Sequence, residues 1–208
     1  MNQALLLVDI QNDFLPGGAL AVPGGDAVVP VANALMPAFD YVVASQDWHP
    51  PEHLSFASQH DGLEPFQTTE LDGLTQILWP PHCIQHRPGA SFASGLDVAG
   101  INHVVRKGTD PRIDSYSAFY DNGHRKSTGL ADDLRALGID SLVVMGLAAD
   151  VCVAFSVNDA LAEGFSVTLV TDGIRGVDMA VGDTRAAIDQ MTGAGATLTD
   201  CGTLIARE

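Results

Sequence analysis

Cys152, Asp9 and Lys107 sit where apolar runs of the chain end, and together they could carry covalent chemistry on a carbonyl carbon. Cys152 follows the run 141–145, whose branched apolar residues suit a strand covered on both faces. Gly146 allows a sharp turn. Val153, Val157, Ala160 and Leu161 then recur at helical spacing, and Gly164 stands where a helix would end. Cys152 is therefore expected at the first turn of a helix. Unpaired N–H groups and the positive dipole end there lower a thiol pKa and can hold a developing oxyanion. A thiol that attacks a carbonyl needs a base to take its proton and return it to the leaving group. Asp9, at the end of the run 4–8, can be that base. Lys107, beyond the run 101–105, can hold the carboxylate and stabilise a thiolate. The plainer alternatives are a small buried hydrophobe at Cys152 and an ordinary ion pair between Asp9 and Lys107.

A second constellation is Asp47 and His49, with His82 as a distant partner. A carboxylate and an imidazole two residues apart can reach one cation, and a third ligand can come from a later loop. Two histidines and one carboxylate with open positions suit Zn²⁺ or Fe²⁺, and Mn²⁺ is compatible. His53, His60, His86, His103 and His124 are expected to be solvated or locally hydrogen-bonded. Phe14, Trp79 and Tyr116 come from separate loops and could form an aromatic slot for a flat ring, or simply cover the edge of the core.

These groups need elements to position them. Apolar runs at 4–8, 41–45, 101–105, 141–145, 166–170 and 196–199 read as strands. Helical spacing falls between them: behind Asp26 as an N-cap, through Leu130, Leu134 and Leu137, after Cys152, and over 183–191. Alternating strands and helices predict an α/β fold: a three-layer sandwich around a mostly parallel, doubly wound sheet. Ligands of such sheets bind beyond the carboxyl ends of the strands. Asp9, Asp47, Lys107 and the Cys152 turn all lie on that rim. The stretch at about 50–99 has no clear period and mixes prolines, glycines and histidines. It is expected to be a lid insertion within a single domain, 1–208, because long irregular segments in compact domains are usually functional.

Composition removes other readings. Hydrophobic residues make up 46% and charged residues 17%, the balance of a folded globular chain. A net charge of −16 argues against a nucleic-acid partner and against attraction to an anionic membrane. The three cysteines, Cys83, Cys152 and Cys201, are an odd count that suits a reducing compartment, so the cytoplasm is expected. A homo-oligomer stays open. The chain has no dinucleotide-binding glycine fingerprint, no Walker loop and no serine nucleophile elbow, and Gly24-Gly25 is not a phosphate loop.

Ordered motifs along nearly the whole chain carry a resemblance. They are Leu7-Val8-Asp9-Ile10-Gln11-Asn12-Asp13-Phe14, Ala44-Ser45-Gln46-Asp47-Trp48-His49-Pro50, Trp79-Pro80-Pro81-His82-Cys83, Lys107-Gly108, Asp114-Ser115-Tyr116-Ser117-Ala118-Phe119 and Gly146-Leu147-Ala148-Ala149-Asp150-Val151-Cys152-Val153. The sequence resembles the nicotinamidases of the isochorismatase-like cysteine hydrolase superfamily. The resemblance implies Cys152 as nucleophile, Asp9 as general base and acid, and Lys107 as their electrostatic partner. It implies a metal on Asp47, His49 and His82, with Ser55 near it through water. It implies an oxyanion hole from the N–H groups of Ala148 and Cys152, helped by a cis peptide between Leu147 and Ala148. The reaction implied is hydrolysis of nicotinamide, and of pyrazinamide, through a thioester, in NAD salvage. Another amidohydrolase of the same fold, acting on a carbamoyl or acyclic amide, is the nearest alternative; a metal-binding protein with a structural Cys152 is a second. Ala149 departs from the family, where threonine is common.

Overall fold

The structure, a computed structural model, describes residues 2–206. In chain order the strands are β1 (Asn2–Val8), β2 (Val42–Asp47), β3 (Thr68–Leu71), β4 (Leu74–Ile77), β5 (His103–Lys107), β6 (Ile139–Leu147), β7 (Ser166–Arg175) and β8 (Thr197–Thr199). The helices are α1 (Val28–Leu35), α2 (Leu130–Ala136), α3 (Ala154–Ala162), α4 (Asp183–Gly193) and α5 (Cys201–Ile205). One six-stranded sheet has the order β5-β2-β1-β6-β7-β8, and every pairing in it is parallel.

Alternate residues of β1 show why its apolar run is unbroken. Ala4, Leu6 and Val8 pack with Leu130, Leu134, Val157 and Met191 on one face. Leu5 and Leu7 pack with Val28, Ala32 and Leu35 on the other. Both faces of the sheet are therefore covered by helices, and burying each such leucine stabilises the fold by about 1.5–3 kcal/mol. The three layers are those the alternating pattern predicts.

Several local expectations are corrected. Gly146 does not turn the chain: it is inside β6, opposite Val8, with φ 125°. A Cβ there would come within 2.1 Å of the Val8 carbonyl oxygen, so glycine is needed for the close approach of β6 to β1. The turn follows it as a single wide π turn, Ala149–Val153, which runs into α3. Asp26 is no N-cap. It lies within a 3₁₀ turn, Gly25–Ala27, and α1 starts at Val28 without a side-chain cap. The irregular segment holds an antiparallel hairpin, β3–β4, and the chain ends in a short helix, α5, capped by Asp200 through the Thr203 N–H at 2.8 Å. No helix among the described residues is long and apolar enough to cross a membrane.

Candidate active site

The strand order reverses between β1 and β6, which places a crevice at their carboxyl ends. Asp9 follows β1 there. Asp47 and Lys107 end β2 and β5 and are register partners. The turn after β6 brings Cys152. All four are buried. Strands β2 and β5 run two residues further than their apolar runs because the polar residues stay paired in the ladder.

Lys107 is the centre of the cluster. Its Nζ donates to Asp47 Oδ1 at 2.6 Å and to the Ser115 carbonyl at 2.9 Å, and lies 2.8 Å from Asp9 Oδ2 and 3.5 Å from Cys152 Sγ. Burial alone would favour the neutral amine, but Asp47 and Asp9 outweigh it and hold the pKa well above the usual lysine range. Asp9 Oδ1 accepts the Ser45 hydroxyl at 2.6 Å. Burial pushes the Asp9 carboxyl up, Lys107 pulls it down, and the net direction is upward. Cys152 is the main electrostatic correction. Burial drives its thiol well above the ordinary value; Lys107 opposes this, while Asp9 and Asp47 add to it. The expected lowering at a helix start is overridden by a desolvated pocket holding two carboxylates. The thiol rests neutral, so it needs a base within reach. Asp9, Asp47 and Cys152 offer atoms that all lie within 4.8 Å of one another.

The second cluster opens on the other side of Asp47. Donor atoms of Asp47, His49 and His82 lie mutually within 4.8 Å. His49 Nε2 is 3.4 Å, and His82 Nε2 3.7 Å, from Asp47 Oδ2. The opposite ring nitrogens are held from behind: His49 Nδ1 by the Gly108 carbonyl at 2.9 Å, His82 Nδ1 by that of Pro80 at 2.8 Å. These bonds leave both Nε2 atoms directed inward, the arrangement that metal-bound histidines show. His49 Nε2 is buried with no hydrogen-bond partner. Burial disfavours ionised Asp47, but Lys107 and His49 more than offset it and hold the carboxyl well below its usual range. Two imidazoles, an ionised carboxylate and an orphaned inward nitrogen fit a divalent cation. A Cβ on residue 108 would lie 2.3 Å from the His49 ring, so glycine makes room for that ligand.

Between the clusters lies a pocket lined by Phe14, Leu20, Trp79, Tyr116, Val151 and Val177 and reaching Cys152, Asp47 and His82. The aromatic residues expected to form a slot thus meet there. Tyr116 Oη accepts from Trp79 Nε1 at 3.2 Å and from Gln76 Nε2 at 2.9 Å, which fixes two walls together. The peptide between Leu147 and Ala148 is cis, as the resemblance implies. Ala149 is fully buried among apolar residues, where a methyl group leaves no hydroxyl to satisfy.

Sequence reasoning missed several contributors. Gln11 clamps the Asp47 backbone, accepting from its N–H and donating to its carbonyl, both at 2.8 Å. Asp114, Leu20, Val151 and Val177 line the pocket. Lys107, expected as the partner of Asp9 and Cys152, also holds Asp47. His53 is locally hydrogen-bonded, as expected, but it is fully buried rather than solvated. Its Nδ1 accepts the Ser55 N–H at 3.1 Å and lies 2.7 Å from Ser55 Oγ; burial pushes its pKa down to about 4. With His49 and Asp114 it forms a further group of close donors. His60, His86, His103 and His124 belong to none of these groups.

Parallel sheet, crevice and buried cysteine, aspartate and lysine define a class: doubly wound α/β proteins with a thiol-centred site at the switch point. The chain belongs to the isochorismatase family, whose Isochorismatase domain matches residues 3–202. It is similar to the nicotinamidase of Escherichia coli (strain K12), with 54% identity over 200 residues, 94% of this chain and 93% of that protein. Its fold is similar to the solved Acinetobacter baumanii nicotinamidase/pyrazinamidase, at TM-score 0.94 and 42% identity, covering 98% of each chain. It is also similar to the pyrazinamidase of Pyrococcus horikoshii solved in complex with zinc, at TM-score 0.78 and 33% identity over 96% of this chain and 99% of that one.

Proposed function

We propose that this chain is a nicotinamidase: it hydrolyses nicotinamide to nicotinate and ammonia, accepts pyrazinamide as well, and serves NAD salvage in the cytoplasm. The observation that carries the reading is the junction at Asp47, where a thiol, a carboxylate and an ammonium on one side meet an inward-facing carboxylate–imidazole set on the other. The similarity to named nicotinamidases supports it. The chain acts as one domain, 1–208, with the lid insertion at about 50–99.

The residues divide the work. Asp9 takes the proton of Cys152 as sulfur attacks the carboxamide carbon. The upward shift of the Asp9 carboxyl makes it a better proton acceptor, and the Lys107 charge opposes the burial that holds the thiol neutral, so both favour that transfer. Lys107 stabilises the carboxylate before transfer and the negative charge on sulfur during it. The N–H groups of Ala148 and Cys152 hold the oxyanion of the tetrahedral intermediate. The C–N bond breaks, and ammonia leaves with the proton from Asp9. Asp9 then takes a proton from water, which attacks the thioester; the C–S bond breaks, nicotinate departs and Cys152 regains its proton. Phe14, Trp79 and Tyr116 hold the ring. Asp47, His49 and His82 would hold one divalent ion, Zn²⁺ or Fe²⁺ with Mn²⁺ compatible, which when bound offers an open position to the pyridine nitrogen.

The test is ammonia release from nicotinamide by the purified protein, with bound metal measured on the same sample. Stoichiometric ammonia and nicotinate are expected. No release from a metal-loaded sample overturns the proposal.

A further inference from the structure

The loop 176–182 follows β7 and contributes Val177 to the wall of the pocket. What fixes this loop is a residue of the π turn itself. Asp150 lies two positions before Cys152, half-buried, and its side chain reaches the loop after β7. Its Oδ1 accepts the Val177 N–H at 2.9 Å, and its Oδ2 accepts the Asp178 N–H at 2.7 Å. Both oxygens are thus spent on two consecutive amides of another segment, the short charge-assisted kind of bond. The carboxylate is seated closely: a Cβ on residue 176 would meet Asp150 Oδ2 at 3.1 Å and the Thr184 hydroxyl at 1.8 Å. Asp178 holds a left-handed backbone, φ 51°, and its own Oδ1 accepts the Thr184 N–H at 2.8 Å. The loop is therefore pinned to α4 behind and to Asp150 in front. Nothing in the reaction derived above uses Asp150.

We propose that Asp150 is a positioning residue that latches the loop 176–182 onto the nucleophile turn, and that through Val177 it sets how tightly the substrate ring is held. The consequence for turnover rests on the nicotinamidase reading; the latch itself does not. Val151 and Val177 line the same pocket and flank the latch, so the latch ties the slot wall to the nucleophile turn.

Two readouts test this. In the substrate-free protein, amide hydrogen exchange over 176–182 should be at least about tenfold faster in Asp150→Ala than in wild type, the scale of one lost charge-assisted bond. Asp150→Asn, which keeps one acceptor oxygen, should fall between, and serves if the alanine variant folds poorly. Unchanged exchange overturns the latch whatever the substrate. In turnover, Asp150→Ala should raise KM for nicotinamide about tenfold and change kcat less than about twofold, as expected when binding alone is lost. Val177→Ala should also raise KM, and the double variant should be little worse than the worse single, because both act through one wall. A fall in kcat at steady KM, or additive KM effects, overturns the role in ring binding. Turnover absent from wild type would count against the nicotinamidase reading and leave the exchange result to decide the latch.

Discussion

The two halves of the site are built differently. Asp9, Lys107 and the Cys152 turn are fixed by the carboxyl ends of β1, β5 and β6 in a parallel sheet, and all three side chains are buried. His82 and Trp79 come from the long connection between β2 and β5, whose regular strands are the small hairpin β3–β4. In the proposed reaction the sheet half holds the groups that would exchange protons and form bonds. The connection half holds groups that would read the ligand. Asp47 joins them: one carboxylate oxygen takes Lys107, and the other faces both histidines. The difference teaches that bond chemistry is kept on rigid strand ends, while recognition is entrusted to a segment that can vary without disturbing them.

The comparison is broken most completely at sulfur. Cys152→Ala should lose essentially all turnover, by several orders of magnitude, yet still bind nicotinamide in calorimetry, because the ring-holding half is untouched. Cys201→Ala, away from the cluster, should remain active. Residual turnover of Cys152→Ala near the wild-type rate contradicts the division. Next come the partners of the thiol. Asp9→Asn and Lys107→Ala should each lower kcat by orders of magnitude, and the double variant should be little worse than the worse single, since the groups act as a unit. Additive losses would mean separate structural roles.

A smaller effect sharpens the role of Asp9. The Ser45 hydroxyl donates to its carboxylate and favours the ionised form. Ser45→Ala removes that bond, so the Asp9 pKa rises further. The base form is then lost at a higher pH as the medium is acidified. The acid limb of the kcat/KM profile should move upward in pH, with the plateau less affected. An unmoved or downward-shifted limb would assign that limb to another group.

The same division decides how much could be read from the sequence. Asp9, Asp47, Lys107 and Cys152 were legible because each ends or follows an apolar run, and parallel strands place such ends on one rim. The metal set was legible only in part from spacing; His82 needed the resemblance to join Asp47 and His49 as more than a distant partner. The hairpin β3–β4 was missed because Thr68–Leu71 and Leu74–Ile77 are mostly polar and show no apolar alternation. A signal was present: Asp72-Gly73, both at positive φ in the structure, is the dipeptide of a tight hairpin turn. The contact of Lys107 with Asp47 depends on strand register, and the burial of His53 on packing between distant loops; neither leaves a local pattern. The thiol pKa was misjudged because helix geometry is local, whereas the carboxylates and burial that outweigh it come from the whole crevice.

The most direct test of the division is kcat/KM for two amides on two proteins. Nicotinamide has the ring nitrogen; benzamide has carbon in its place. If the Asp47–His49–His82 set reads the ring and leaves the bond chemistry to the sheet half, wild type should strongly prefer nicotinamide. His49→Ala should then lose most of that preference, mainly through KM, with lower metal content on the same sample, while benzamide turnover changes little. Equal losses on both amides would contradict the account, for the histidine set would then be supporting the whole site rather than recognising the ring.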